Sequence, residues 1–302
     1  MLEILFAGTG ASVPSRDRSL PCIAVRTGRS VSLFDCGEGA QRQLMLSKFS
    51  FMKTDRIFIT HMHGDHILGL PGLLQTMGMS GRREKVEVFG PEGIRGSLCG
   101  MMDACEGDLE FELVIHEVNP GDRFEFDRFS VTAFATVHGC ASVGYRMVES
   151  DRPGVFDKEK AVSLGLDTSD FSRIQKGETV KGVDPKLIMG PSRPGLSLVY
   201  AGDTMSCDSV AEAVHGADVL IHEGTYMDDD RKLAEDHFHS TIGDVARMAK
   251  VSDVRNLFLV HISNRYGDDP GPLEEAKAVF PNVIIPNDLD AFTVTPDGIR
   301  SL

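Results

Sequence analysis

Short apolar runs, each stopped by a polar or glycine-rich turn, recur along this chain. Leu2–Ala7 runs into GTGAS, Ser30–Phe34 into DCGEG, Arg56–Thr60 into HMHGDH and Val86–Phe89 into GPEG. Phe129–Val137 ends at HGC, Leu196–Ala201 at GDT, Val219–Ile221 at HEGT and Leu257–Val260 at HISNRY. Runs of this length bounded by turn residues predict strands. Between them, helical spacing of apolar positions predicts helices over Ala40–Leu46, His66–Met77, Ile94–Ala104, Asp208–His215, Thr241–Val251 and Leu273–Ala278. Strands and helices mixed along the whole chain predict an α/β (α+β) fold with sheets covered by helices. Each half reads as a run of strands followed by strand–helix units, a hint of an old duplication.

One segment breaks the pattern. Residues 150–195 hold Gly and Pro at frequent intervals and lack a long apolar period, which predicts a flexible excursion inserted into a single domain spanning 1–302. Its second half carries Arg173, Lys176, Lys181, Lys186 and Arg193 against Glu178 and Asp184, a basic window in an acidic chain. It is either a solvated loop or an arm for an anionic substrate.

Composition narrows the class. The 302 residues include 31 Lys and Arg against 45 Asp and Glu, a net charge of −14, with 41% hydrophobic residues. That is enough apolar content for a sizeable core, and the charge argues against a protein that coats nucleic acid electrostatically. The six cysteines form no CxxC pair and read as free thiols in a reducing compartment. The first residues, MLEILFAGTGASVPSR, have no basic segment ahead of a long apolar one, and no run approaches membrane-spanning length. These features predict a soluble, cytoplasmic protein with no membrane partner.

The candidate chemistry lies at the strand ends. In THMHGDH, His61 and His63 are two apart at the end of an extended strand, so both imidazoles face one way. Asp65 and His66 open the following helix, and this mixture of N and O donors suits Zn²⁺. His138, Asp203 and His261 each sit just past another apolar strand, where α/β sheets place functional loops.

The order HxHxDH, then a distant His, Asp and His, resembles the metallo-β-lactamase superfamily. Within it, FAGTGASVPS, LFDCGEGAQRQL, FITHMHGDHILGLPGLL, AGDT, LIHEGTY, HSTIGD and LVHISNRY resemble the blocks of the ribonuclease Z family, in family order. The resemblance implies an αβ/βα sandwich of two mixed sheets and two Zn²⁺ per subunit. It implies His61, His63 and His138 as ligands of one ion, Asp65, His66 and His261 as ligands of the other, and Asp203 as a bridge. Asp65 resembles the family's proton acceptor for the attacking water. His239 is the candidate general acid, held in its tautomer by Glu223, and Asp35 would orient a ligand. Ser12, Arg16, Arg18, Arg265 and Tyr266 lie in or beside matched blocks and suit phosphate contacts.

The implied activity is removal of 3′ trailers from precursor tRNA, leaving a 3′-OH on the tRNA and a 5′-phosphate on the trailer. The excursion resembles the family's tRNA-gripping arm, with Arg173, Lys176 and Lys181 as contacts, and that implies a homodimer in which the arm crosses to the other subunit. Where the family usually carries a Gly-Pro-rich piece, this chain has DTSDFSRIQ with Asp167 and Asp170. The alternatives are a small-molecule phosphodiesterase or hydrolase of the same superfamily, which would not need the arm, and a non-catalytic RNA-binding protein.

Overall fold

A computed structural model of the chain describes residues 1–105, 107–267 and 269–302. Among these, β1 (Leu2–Gly8), β2 (Cys22–Thr27), β3 (Ser30–Phe34), β4 (Thr54–Phe58), β5 (Val86–Gly90) and β6 (Leu113–Glu117) belong to one sheet. A second sheet takes β7 (Arg123–Glu125), β8 (Phe129–Ala135), β9 (Val143–Glu149), β10 (Ser197–Tyr200), β11 (Val219–Glu223), β12 (Leu257–Val260) and β13 (Val283–Ile284). The hairpin β14 (Ala291–Thr295) and β15 (Gly298–Ser301) returns to the first sheet along β1. In both sheets antiparallel strands come first, and parallel ones follow: β3 to β6 in one, β10 to β13 in the other. The two halves thus repeat one order of pairing.

Helices cover the outer faces. α1 (Ala40–Leu46), α2 (Gly64–Ile67), α3 (Leu70–Met79) and α4 (Ile94–Ala104) follow strands of the first sheet. After α5 (Lys158–Ser163) and α6 (Thr168–Gln175) in the excursion, α7 (Asp208–Val214), α8 (Arg231–Asp236), α9 (Ile242–Val251) and α10 (Gly271–Val279) accompany the second. The expected sandwich of two mixed sheets flanked by helices is therefore what forms. Central strands are apolar on both faces. Leu2, Ile4 and Phe6 point between the sheets, while Leu5 and Ala7 point to the helices. In β12, Phe258 and Val260 face inward while Leu257 and Leu259 pack outward. Such strands read as unbroken apolar runs, which is why they were visible in the sequence.

One aromatic ladder crosses the middle of this core. Parallel register puts Phe34, Phe58 and Phe89 side by side on β3, β4 and β5. Phe58 stacks on Phe34 at 5.2 Å and on Phe89 at 4.8 Å, and Tyr145 of the other sheet lies 5.3 Å away. Phe34 is followed at once by Asp35, and Phe58 by Ile59, Thr60 and His61, so the ladder holds the bases of two functional loops.

Two sequence expectations change. A single helix over His66–Met77 is instead α2 and α3, broken at Gly69, where a Cβ would lie 2.1 Å from the Gly37 carbonyl oxygen. The break turns α2 into a separate one-turn platform for Asp65 and His66. The excursion, in turn, carries structure that no apolar period announced. Ala161, Leu166, Ile174, Val180, Val183 and Ile188 form a small core of its own, with Phe156 and Phe171 against it. Asp167 caps α6 with Asp170 in a reciprocal capping box, and Lys181 pairs with both carboxylates at 3.0 and 2.7 Å. The chain's departure in DTSDFSRIQ is thus a helix start. Bridges pairing Arg152 with Arg193 and Phe156 with Met189 form its stem, and Gly154 passes so close that a Cβ would sit 1.9 Å from the Gly190 oxygen.

Phe58→Ala removes the centre of the aromatic ladder and leaves a cavity between the sheets. It should cost about 3–5 kcal/mol, read as a lower urea midpoint at unchanged slope. A loss under about 1 kcal/mol would show that the ladder is not a main source of stability.

Candidate metal centre

Every chemically distinctive side chain lies at the same edge of the sandwich, past the carboxyl ends of the strands. His61 and His63 follow β4, and the His61 backbone bridges to Ser142, which brings the β8–β9 turn alongside. Asp65 and His66 ride on α2, with the latter wholly buried. His138 follows β8, Asp203 follows β10, Glu223 ends β11 and His261 follows β12. Asp35 and His261 hold left-handed backbone, φ 58° and 55°, which turns each side chain off its strand toward this edge.

The side chains converge as two groups. His63 Nδ1 lies 3.1 Å from His61 Nε2 and 3.2 Å from His138 Nε2. Asp65 Oδ2 lies 3.6 Å from His66 Nε2 and 3.5 Å from His261 Nε2. Asp203 Oδ2 stands between them, 3.9 Å from His61 Nε2, 3.4 Å from His66 Nε2 and 3.3 Å from His261 Nε2. The sequence pointed to these seven residues, and the fold gathers all of them.

The hydrogen bonds assign the tautomers. His61 Nδ1 donates to Thr60 Oγ1 at 3.1 Å, because that hydroxyl is itself spent on Asp35. His66 Nδ1 donates to Asp35 Oδ2 at 2.7 Å, His138 Nδ1 to the Phe238 carbonyl at 3.0 Å and His261 Nδ1 to Thr225 Oγ1 at 2.9 Å. Each bond turns the lone pair of the remaining nitrogen into the centre. His66 Nε2 is buried there with no hydrogen-bond partner. Unprotonated nitrogens and carboxylates packed this closely repel one another unless a cation sits among them. The donor set, two or three imidazoles with carboxylate oxygen per group, is the chemistry of a divalent transition-metal site.

The electrostatics show carboxylates drawing positive charge to this spot: burial would lower His66, but Asp203 and Asp35 outweigh it and lift it well above the ordinary imidazole range, a proton that a bound cation would displace. Burial, with the neighbouring His66 charge, pushes His61 down to about 2, so it is neutral and ready to ligate. Burial alone would raise Asp65 and Asp203. The adjoining imidazoles of His261 and His66 instead hold Asp65 well below the usual carboxylate range. The same two histidines hold Asp203 low.

His239 stands just beyond the groups. Its Nδ1 donates to Glu223 Oε1 at 2.7 Å, and Glu223 also accepts from the Thr204 N–H at 3.0 Å and from Thr225 Oγ1. Burial would lower its pKa, but the Glu223 carboxylate outweighs this and lifts it to about 9, so the ring carries a proton at neutral pH. The sequence did not mark Thr60, Tyr200, Thr225 or Phe238 as holders of this centre. Thr60 and Thr225 stood inside quoted blocks; Tyr200 and the Phe238 carbonyl left no signal.

Other expected contacts fall elsewhere. The Ser12 N–H donates to Asp65 Oδ2 at 3.0 Å, which makes Ser12 a brace for that carboxylate. Arg18 is tied to Thr9 Oγ1 and the Pro286 carbonyl, whereas Arg16 is exposed. Tyr266 donates to Asp230 at 2.6 Å and accepts from the Met227 N–H, while Arg265 pairs with Asp230 and covers the Tyr226 ring at 5.1 Å. In the arm, Arg173 pairs with Glu178 and Lys181 with Asp167 and Asp170. His237 closes back on the Leu233 carbonyl at 2.9 Å.

The model of the β-lactamase superfamily domain matches residues 32–157 and 186–262. A ribonuclease Z from Methanosarcina mazei is 44% identical over 96% of this chain and 97% of its own length. Another, from Methanothermobacter thermautotrophicus, is 39% identical over 99% of this chain and all of its own (100%). This chain belongs to the ribonuclease Z family of the β-lactamase superfamily. The crystal structure of human tRNase Z, short form, is 28% identical and superposes with a TM-score of 0.72 over 97% of this chain and 99% of that one. The superfamily-domain match leaves out residues 158–185, the helical part of the arm, whereas the ribonuclease Z relatives cover 96–99% of this chain.

Asp35 orients His66 without belonging to either ligand group, so Asp35→Asn should weaken metal binding about 10–100-fold. Competition against a chromophoric chelator reads this directly, and undiminished affinity would remove Asp35 from the support of the centre.

Proposed function

We propose that this protein is an endoribonuclease that cuts the 3′ trailer from precursor tRNA, working as a zinc enzyme and a cytoplasmic homodimer. The observation that carries this reading is the arm. It is the part that the superfamily-domain match leaves out, and the ribonuclease Z relatives, 39–44% identical overall, cover 96–99% of this chain. A small-molecule phosphodiesterase of the same fold would need the metal groups but not this insertion. Among the described residues no helix is long and apolar enough to cross a membrane.

His61, His63 and His138 would hold one zinc ion, Asp65, His66 and His261 the other, with Asp203 between them. Bound there, the ions supply Lewis acidity and positive charge for a phosphodiester whose negative charge grows in the transition state. The chain's own groups move the protons. Asp65, held ionised, takes one from the attacking water. His239, kept protonated by Glu223, gives one to the departing 3′-oxygen. Water as nucleophile leaves a 3′-OH on the tRNA and a 5′-phosphate on the trailer.

The arm basic side chains divide. Lys181 and Arg173 are occupied within the arm, so Lys176 and Lys186 are the better phosphate contacts of the window, and the arm of one subunit would grip tRNA cleaved by the other.

Incubation with a 3′-extended precursor and mapping of both new ends tests the reaction; an unchanged precursor, or a 3′-phosphate on the tRNA, would sink the reading. In the same assay Asp65→Ala should abolish cleavage and keep most of the tRNA affinity, whereas His239→Ala should lower kcat about 10²–10⁴-fold. Equal loss of binding and turnover would count against both roles. Replacing residues 153–192 by a short turn should raise KM for precursor tRNA while leaving hydrolysis of a small chromogenic phosphodiester in place. Precursor cleavage undisturbed by that deletion would favour the small-molecule alternative.

A further inference from the structure

The residue just before His239 is unusual in its place. α8 ends in a turn in which the Phe238 N–H bonds the Glu235 carbonyl at 3.3 Å and the His239 N–H bonds the Ala234 carbonyl at 2.8 Å. That closure needs left-handed backbone at its central residue, a position usually given to glycine. Here it is Phe238, at φ 59°. Its carbonyl accepts from His138 Nδ1, so the backbone conformation serves the metal centre. The ring does not: it is 43% exposed and so gains little core burial, and it lies over the turn after His138, 3.7 Å from where a Gly139 Cβ would be. A bulky aromatic thus occupies a strained position at the lip of the site, where glycine would present the same carbonyl without strain.

We propose that the Phe238 ring is a stacking platform for the unpaired base of the nucleotide whose 3′-oxygen departs in cleavage. This rests on the proposed tRNA trailer reaction. The platform is apolar and flat, which suits a base face and offers nothing to a phosphate. The Phe238 carbonyl is held by His138, whose ring lies 5.2 Å from that of His239, so the platform stands beside the group that would protonate the departing oxygen, which favours the nucleotide carrying that oxygen over the trailer side.

Phe238→Gly keeps the carbonyl and fits the backbone, and Phe238→Tyr keeps the ring. Both are compared with the parent protein on precursor tRNA, intact or abasic at the nucleotide before the cut. On intact substrate, Phe238→Gly should lower kcat/KM roughly 10–100-fold, with the loss mainly in KM, and Phe238→Tyr should restore it. On the abasic substrate the parent should fall to the level of the glycine variant, and the glycine variant should lose little more. The stacking proposal is overturned by an undiminished loss on abasic substrate, by coupling to the first trailer base instead, or by a fall in bound zinc that accounts for the effect. If the parent itself fails to cut precursor tRNA, the reaction is misassigned; if it cuts but shows no coupling, only the platform is.

Discussion

The Asp35 carboxylate is where both sheets and the metal centre are tied together. It is fully buried, and a charge there is tolerated only when its oxygens are filled with donors. The Thr60 N–H and hydroxyl, at the end of β4, supply two, the Tyr200 hydroxyl at the end of β10 supplies a third at 2.7 Å, and His66 Nδ1 on α2 supplies the fourth. A strand from each sheet and a helix therefore have to meet at one point before the carboxylate is satisfied. The aromatic ladder below makes this possible, because Phe34 and Phe58 fix the strands that deliver Asp35 and Thr60. Stability and function share this junction: the bond that satisfies Asp35 also leaves His66 Nε2 bare and aimed at the centre.

Much of this was legible in the sequence because of how the strands are buried. Helices cover both sheets, so the central strands are apolar on both faces and end sharply where the polar edge begins. His61, His138, Asp203 and His261 each stand at such an end, so their placement made them candidates before the family resemblance grouped them. Features set by tertiary contact were not legible. Gly69 breaks a continuous apolar period because its N–H turns to the Cys36 carbonyl, an approach that leaves no room for a Cβ. β2 and β9 were hidden by neighbouring polar turns, and α5 and α6 are too short to show a period. Asp167 and Asp170, which mark the departure from the family's usual arm, are the capping box and partners of Lys181. Tyr266 looked like a phosphate contact but braces Asp230 and the Met227 N–H.

Net charge misleads for the same reason: it is not where the RNA would be. Asp35, Asp65, Asp203 and Glu223 all belong to the −14 total, yet each faces imidazoles at the centre and is held there to position or balance positive charge. Their contribution is local and would be reversed in sign by bound divalent ions. The basic arm window is a second local field, weakened because two of its cations pair inside the arm.

The separation of these two fields follows from topology. β9 leaves the edge that carries His138 and runs seven residues to Glu149 before the arm begins, and β10 returns antiparallel from Ser197 to deliver Asp203. At about 3.3 Å per residue, the arm is rooted roughly 20 Å from the metal centre, at the opposite end of the strands. An arm so placed has no part in bond cleavage beside its root. With the arm crossing to the other subunit as proposed, its grip would fall on the body of the substrate bound there and away from the cut, which suits a substrate that is large and rigid. A folded tRNA meets that demand, with its body at one end and its 3′ trailer at the other, whereas a small phosphodiester does not. Under the proposed function, the insertion between β9 and β10 would turn a general hydrolytic edge into one that measures its substrate.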